Sequence, residues 1–481
     1  MSTTRPKTST ATGAPVSTSA GPASRSLTAR EMLLLTTLCG AQVLEVLGVT
    51  VVIVALPVIG VDLGLAGGRL QLVVSLYAVL YGALLLTAGR VADVVGRRAV
   101  LAVGLGVTAA GALTCAVADT GTVLLVGRAV QGLGGALVTP AALALLTTTF
   151  TAGRPRRTAI SAWTAAAAGG GALGFGAGGV LVDSLGWRPV FWLLAGVAVI
   201  VLGAVWRVVP APSPVTTARR SFDPVETAAA AAGLVLLVVG AGMVENQGPT
   251  PVPPAGVLAL GALLLGGFVL AQRFGRDPLL GWSTLTNRQF LLANGVAFVN
   301  TATTSASGTL VALVAAHLLG LSPLLTGLVL LPFSAMVVIG STAGGFWLKR
   351  PSHVGMAAGL GIVAVAMIAL AFATVAHSVP LLAVAVAIAG LGLSWAAMTS
   401  TEAATAALPE AQQGTAAAAV NTAAQVGTAL GVAVLLTIAS IIEGDTASSG
   451  RGYTVAFLAA AVLAGAVAAA LMLNPPQRRK S

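Results

Sequence analysis

Three side chains set in otherwise apolar stretches have the chemistry to move a proton. Glu45 is the one acid deep inside an apolar run, and Arg128 is the one basic residue inside another, with Gln131 one turn further on. A carboxylate in a membrane-depth helix is costly to keep charged, so it marks function by default and takes up a proton readily. An arginine stays charged, and its approach favours the ionised carboxylate and so releases that proton. At 1.5 Å per residue, Glu45 lies roughly 18 Å from one face and Arg128 roughly 9 Å from the other. In a hydrocarbon core about 30 Å thick, these are similar depths. The alternative is a structural ion pair between the same two residues. Gln131 is placed to hydrogen-bond either one.

A second constellation is Gly89-Arg90-Val91-Ala92-Asp93-Val94-Val95-Gly96-Arg97-Arg98, between two long apolar runs. It reads as a tight turn between antiparallel membrane helices. Asp93 can cap the positive end of a neighbouring helix and pair with Arg90, Arg97 or Arg98. The three arginines serve equally as charges that set topology. A third is Gly170, Gly174 and Gly178, one every four residues, followed by Gly179. They form a smooth helix face, for close packing or for an interface that moves. A fourth is a polar set in a later run: Asn294, Asn300, Thr301, Thr304, Ser305 and Ser307. Asn294, Thr301, Ser305 and Gly308 follow helical spacing. Further on, Asn421 and Gln425 sit one turn apart. In lipid such groups must face partners or a water-filled cavity, and a cavity lining is the favoured reading.

The elements that must hold these groups follow from composition. Apolar residues are 57% of 481 and charged residues 8%. Soluble domains carry about a quarter charged residues, so the chain is expected to be an all-α integral membrane protein in a lipid bilayer. About 20 apolar residues cross a bilayer. Fourteen spans are expected, at 33–57, 70–88, 99–118, 122–149, 159–182, 189–208, 225–244, 255–272, 289–314, 323–348, 354–375, 380–400, 413–440 and 453–473. The first is too long for a signal-peptide core, lacks a cleavage site, and is expected to stay as a helix. Residues 1–30 read as a disordered basic tail, and 474–481 as a short one.

The net charge of +11 does not call for nucleic acid, because it lies in loops and tails. Of 25 basic residues, 21 fall on the tails and on alternate connections, and only Arg69, Arg188 and Arg451 on the others. By the positive-inside rule both termini are cytoplasmic. Cys39 and Cys115 lie in apolar runs and read as small buried hydrophobes. His317, His353 and His377 fall near connections, without a His-Glu-x-x-His metal motif. No Gly-rich nucleotide site follows a strand. No metal, cofactor, ATP site or enzyme activity is expected, and a monomer is. Abundant Ala and the excess of Arg over Lys point to a GC-rich bacterial genome.

The chain repeats itself. Thr87-Ala88-Gly89 matches Thr342-Ala343-Gly344, which precedes Lys349-Arg350. Gly132-Leu133-Gly134 matches Gly390-Leu391-Gly392, and the glycines of 170–178 match Gly427 and Gly431. Their shared order divides the chain into six-helix units at 31–208 and 289–473, with two extra helices in 209–288. Internal repeats of this kind are typical of secondary transporters, which bind substrate where the halves meet.

The turn at 89–98 resembles the loop between helices two and three of the major facilitator superfamily. Arg128, Gln131, Gly132, Gly134 and Pro140 resemble its fourth-helix motif. Ala55-Leu56-Pro57, Gly186-Trp187-Arg188, Phe191 and Phe222-Asp223 resemble the fourteen-span drug:proton antiporter branch. The resemblance implies a major facilitator fold of two six-helix bundles plus two central helices. It also implies proton-coupled export of drug-like molecules, as antibiotic self-protection, driven by the proton-motive force. The alternative is a proton-coupled or facilitative transporter of a small metabolite. Glu45, Arg128 and Gln131 would couple the proton. Gly89, Arg90, Asp93, Gly96, Arg97 and Arg98 would latch the halves in one conformation. Gly170, Gly174, Gly178 and Gly179 would be a packing hinge, and Tyr77, Asn294, Thr301, Ser305, Asn421 and Gln425 would line the substrate cavity. Three positions depart from the branch. Gly48 stands where it carries Asp, with Glu45 one turn earlier. Leu72 stands where it carries Trp, with Tyr77 retained. No proline precedes the paired glycines of the fifth span.

Overall fold

The computed structural model describes residues 28–150, 154–210, 224–244, 253–274, 282–344, 350–409, 412–443 and 449–473. Residues 1–27 and 474–481, Phe222-Asp223 and Lys349 lie outside the described residues, and Thr28–Arg30, expected in the disordered tail, instead cap and begin the first helix. The helices are α1 Ala29–Asp62, α2 Gly67–Val95, α3 Arg97–Ala116, α4 Gly121–Thr149, α5 Arg154–Leu185, α6 Arg188–Val208, α7 Pro224–Met243 and α8 Pro254–Phe274. They continue with a one-turn α9 Trp282–Leu285, α10 Arg288–Leu313, α11 Pro323–Ala343, α12 Ser352–Val375, α13 Val379–Ala406, α14 Gln413–Glu443 and α15 Arg451–Leu473. Thirteen of them are long and apolar enough to cross a membrane, and α7 contributes a shorter apolar stretch, Thr227–Met243. This is a multi-pass, all-α membrane protein.

Helix starts are marked by side chains that satisfy the free N–H groups of a first turn. Thr28 and Glu31 form a reciprocal capping box on α1. Thr120, Asn287, Ser322 and Ser378 cap α4, α10, α11 and α13. Helix ends differ from expectation in three places. The ten-residue turn at 89–98 is not a loop: α2 stays helical to Val95, and the break is Gly96 alone, at φ 111°. The charges lie on the last turns of a helix that Val91, Val94 and Val95 continue. Pro57 does not end α1, which continues to Asp62. A proline is tolerated inside a membrane helix where neighbouring groups satisfy the freed carbonyl. The eleventh helix ends at Ala343 rather than near 348, and residues 345–349 lie outside the described set.

The two six-helix units pack by one scheme. In the first, α3 lies on α4 and α6, α1 on α5, and α2 on α4; in the second, α12 lies on α13 and α15, α10 on α14, and α11 on α13. The sequence repeat is this scheme written in glycine. A side chain on Gly132 would strike the Tyr77 carbonyl of α2, and one on Gly390 the Phe333 carbonyl of α11. Gly134 faces Gly104 of α3 as Gly392 faces Gly359 of α12. Gly174 and Gly178 rest on Thr50 and Val51 of α1, as Gly427 and Gly431 rest on Phe298 and Ala302 of α10. Small residues let backbones approach where lipid gives no hydrophobic drive between helices.

The halves meet by exchange: α2 packs on α14, and α5 on α11. The α5–α11 approaches run from mid-helix toward the end opposite the arginine-rich connections, and the α2–α14 approach lies at mid-helix. Gly82 meets Gln425, Gly171 meets Ser334, Gly327 meets the Phe175 carbonyl and Gly179 meets Leu324. Helix α7 fills the seam between α2 and α14. There Val238 packs with Ala78, Val79 and Ala429, and Thr87 hydrogen-bonds Thr227 at 3.1 Å.

Candidate functional site

Glu45 and Arg128 are both buried inside the first half, on α1 and α4. They do not touch, and Tyr77 of α2 links them. Its hydroxyl donates to Oε2 of Glu45 at 2.9 Å, and the Arg128 guanidinium lies 4.5 Å from its ring centroid. A cation over an aromatic face is attracted by the ring quadrupole, more strongly when both are dry. Arg128 also donates to the carbonyl of Val73 at 2.8 Å, to the carbonyl of Gly48 at 3.2 Å and to Oε1 of Gln131 at 2.9 Å. The Gly48 position therefore still binds the arginine, through its backbone rather than an acid side chain. Gln131 serves Arg128, not Glu45. Oε1 of Glu45 and Nη2 of Arg128 are buried without a protein partner. Tyr81 stacks on Tyr77 at 5.9 Å and donates to Thr139 at 2.8 Å.

Glycine makes the room. A side chain on Gly135 would lie 2.2 Å from Oε2 of Glu45 and 2.8 Å from the Tyr81 ring. Tyr77, expected to line the substrate cavity, lies buried between Glu45 and Arg128. Tyr81, Thr139 and Gly135 were not anticipated. The one-turn spacing of Tyr77 and Tyr81, and the glycine run after Arg128, were the available signals.

At the arginine-rich end, Asp93 pairs with Arg97 at 2.9 Å, both partly exposed. Arg97 also reaches the Ala144 carbonyl and Thr148 of α4. Arg98 donates to the Trp206 carbonyl of α6 at 2.7 Å and lies 4.9 Å from that indole's ring centroid. Gly89 faces Pro140. The contacts of Asp93, Arg97 and Arg98 thus stay in the first half. At the opposite end, Asp62 accepts from Trp187 at 2.9 Å and from Arg188 at 2.8 Å, which ties the Gly186-Trp187-Arg188 turn to the tip of α1.

The fifth-helix glycines have two jobs. Gly170, Gly174 and Gly178 pack on α1 within the half, whereas Gly179 faces α11 of the other half. The expected cavity residues also separate. Asn294 donates to its own helix at Phe290. Gln425 packs on Gly82 across the halves. Ser305 and Gly308 line a cavity of about 120 Å³ between the halves, with Phe175, Thr50, Thr304 and Thr428. Thr301 and Asn421 line another of about 280 Å³ among α10, α13 and α14. Larger cavities of about 430 and 330 Å³, sharing Pro57, Val61 and His317, lie at the far end of α1, away from Glu45. Among the described residues no three His, Cys, Asp or Glu side chains cluster for a metal.

The family model of the Major Facilitator Superfamily matches residues 38–432 and 293–481. The chain belongs to the major facilitator superfamily. It is 34% identical over 418 residues to the puromycin resistance protein of Streptomyces alboniger, covering 84% of this chain and 81% of that one. It is 33% identical over 473 residues to the cephamycin export protein of Amycolatopsis lactamdurans, covering 96% of each. Among solved structures it resembles the POT family transporter PepTSo, with TM-score 0.67 and 16% identity over 92% of this chain and 98% of that one. The superfamily's fold is the one the helix packing displays.

Proposed function

We propose that the chain exports drug-like organic molecules across a bacterial cell membrane in exchange for protons, by alternating access, as protection against an antibiotic. The observation that carries this is the buried Glu45–Tyr77–Arg128 cluster: one proton-accepting carboxylate, linked to a permanent cation through a tyrosine. Protonating Glu45 weakens its attraction to Arg128, and deprotonation restores it, so the proton state sets how α1, α2 and α4 hold together. The names of the relatives support the substrate class. The arginine-rich end is cytoplasmic, and both termini lie there. Toward the far end the α5–α11 seam is closed where Gly327 meets Phe175 and Gly179 meets Leu324, with the two larger cavities beside α1. Asp93, whose described ion pair is with Arg97, serves as a latch between the halves as they rock.

The energy suffices without ATP. Membrane potential supplies about 2.3 kcal/mol per charge per 100 mV, and one pH unit about 1.4 kcal/mol per proton. Together they sustain a gradient on the order of a hundredfold in a neutral substrate. No cofactor is required, and a single chain in lipid contains both halves.

Expression in a drug-sensitive bacterium, against puromycin, lincomycin and other unrelated antibiotics, tests the reading. Resistance to at least one, abolished by a protonophore, is expected; uniform sensitivity sinks drug export. In inverted vesicles Glu45→Gln is expected to abolish drug-driven proton movement. Full movement in that variant removes Glu45 from the coupling.

A further inference from the structure

The cavity of about 280 Å³ in the second half has a polarity that the proposed export activity alone does not require. It is lined by Asn300, Thr301, Ser400, Thr401 and Asn421 among alanines and a valine, and no charged residue among the described ones lines it. Asn300 is fully buried. Its Nδ2 donates to the Leu393 carbonyl of α13 at 3.0 Å, which fixes the amide orientation, since a carbonyl can only accept. Its Oδ1 has no protein partner.

The hydroxyls point their hydrogens the same way, into backbone. Thr301 donates to carbonyls of its own helix and to that of Ala424, while Ser400 donates to the Ala397 carbonyl at 3.0 Å and Thr401 to the same carbonyl at 2.8 Å. With its hydrogen committed, each hydroxyl oxygen keeps only lone pairs to offer. Apart from the Asn421 amide, which brings donors as well, the wall offers acceptors, and the best-fixed of them is Asn300 Oδ1. A buried acceptor left unmatched is expensive, so such a wall discriminates strongly between a ligand that brings a donor and one that does not.

We propose that this cavity is a subsite of the export path that takes an uncharged N–H or O–H group of the substrate, with Asn300 as its specificity-determining acceptor. Among the described residues its wall offers neutral polar groups only, which suits an uncharged partner. The cavity lies on the arginine-rich side of mid-membrane, where residues 297–301, 397–401 and 417–424 meet, on the side from which an exporter loads. This placement as part of a transport path rests on the exporter reading; the donor preference does not.

The test uses the purified full chain in nanodiscs and two probes, 2-naphthamide and N,N-dimethyl-2-naphthamide, which share a ring system and differ in amide N–H. Equilibrium dialysis, corrected with empty nanodiscs, measures binding of each. The wild type is expected to bind the N–H amide about tenfold more tightly. In Asn300→Leu the preference should fall to within twofold. Should that variant not fold, Thr401→Val, which removes one acceptor isosterically, should cut the preference about threefold. Equal binding of the two probes by the wild type, failure to bind either, or an unchanged preference in the variants overturns the subsite. Binding is read without transport. A chain that exports but shows no donor preference sinks the subsite alone, and one that shows the preference but exports nothing sinks only the exporter reading.

Discussion

At the residue scale, the Glu45–Tyr77–Arg128 cluster is a packing solution as much as an electrostatic one. Glu45, Tyr77 and Arg128 fit because α4 presents glycine toward both α1 and α2. Two neighbouring glycines make separable predictions. On Gly135 an added methyl meets side-chain atoms, Oε2 of Glu45 and the Tyr81 ring. Gly135→Ala should therefore express and insert normally but lose most substrate-driven proton flux in vesicles. On Gly132 the methyl meets the Tyr77 carbonyl at 2.4 Å, which cannot swing away. Gly132→Ala should instead lower the thermal midpoint of the detergent-solubilised protein, and equal midpoints for the two variants would refute the distinction. Tyr77→Phe keeps the ring under Arg128 and removes the donor to Glu45. A hydrogen bond to a charged group contributes about 1.5–3 kcal/mol, so turnover should fall at least tenfold while expression holds; unchanged turnover would make the bond incidental. Glu45 and Arg128 were legible in the sequence because ions are conspicuous in apolar runs. Tyr77 was legible as a residue but not as a role, since nothing in the chain says toward which neighbour a half-polar ring turns. Asn300 was hidden for the same reason among six polar residues on one helix.

At the element scale, the repeat was readable because close helix packing demands small residues at fixed intervals, and each glycine pair proved to be the same contact made twice. Helix ends were less readable. The 89–98 segment carries charge and glycine, the usual marks of a loop, yet it is helical up to a single residue. Gly96 holds φ 111° and ψ 127°, a conformation a side chain strains against by about 1–3 kcal/mol. Gly96→Ala should lower the melting midpoint and loosen the α2–α3 corner. Cleavage by added protease near residue 96 would then rise; an unaltered midpoint and protease pattern would mean the corner adapts at no cost. The corner matters because the Arg97 bonds to α4 and the Arg98 bond to α6 start from it. A shifted corner moves three helix ends, and Asp93 with them.

At the scale of the whole molecule, the halves are joined by two equivalent seams, α2 on α14 and α5 on α11, with α7 covering the first. Composition and charge bias pointed to fourteen apolar helices in two repeats. The seams were out of reach of sequence, because each depends on faces set by tertiary packing. Alternating access, as proposed, requires the far end of the α5–α11 seam to open. On α5–α11 the approach is close: a side chain on Gly179 would lie 3.2 Å from the Leu324 Cα, near enough for the 4.4–6.8 Å between Cα atoms that a disulfide spans. Gly179→Cys with Leu324→Cys, in a chain whose Cys39 and Cys115 are replaced by serine, should cross-link under mild oxidation. Cross-linked protein in vesicles should bind substrate but not transport it, and a reductant should restore transport. The single-cysteine controls should transport under both conditions. Full transport by demonstrably cross-linked protein would mean that the far end of this seam does not open, and that the path to the outside runs elsewhere, past His317 and the cavities beside α1.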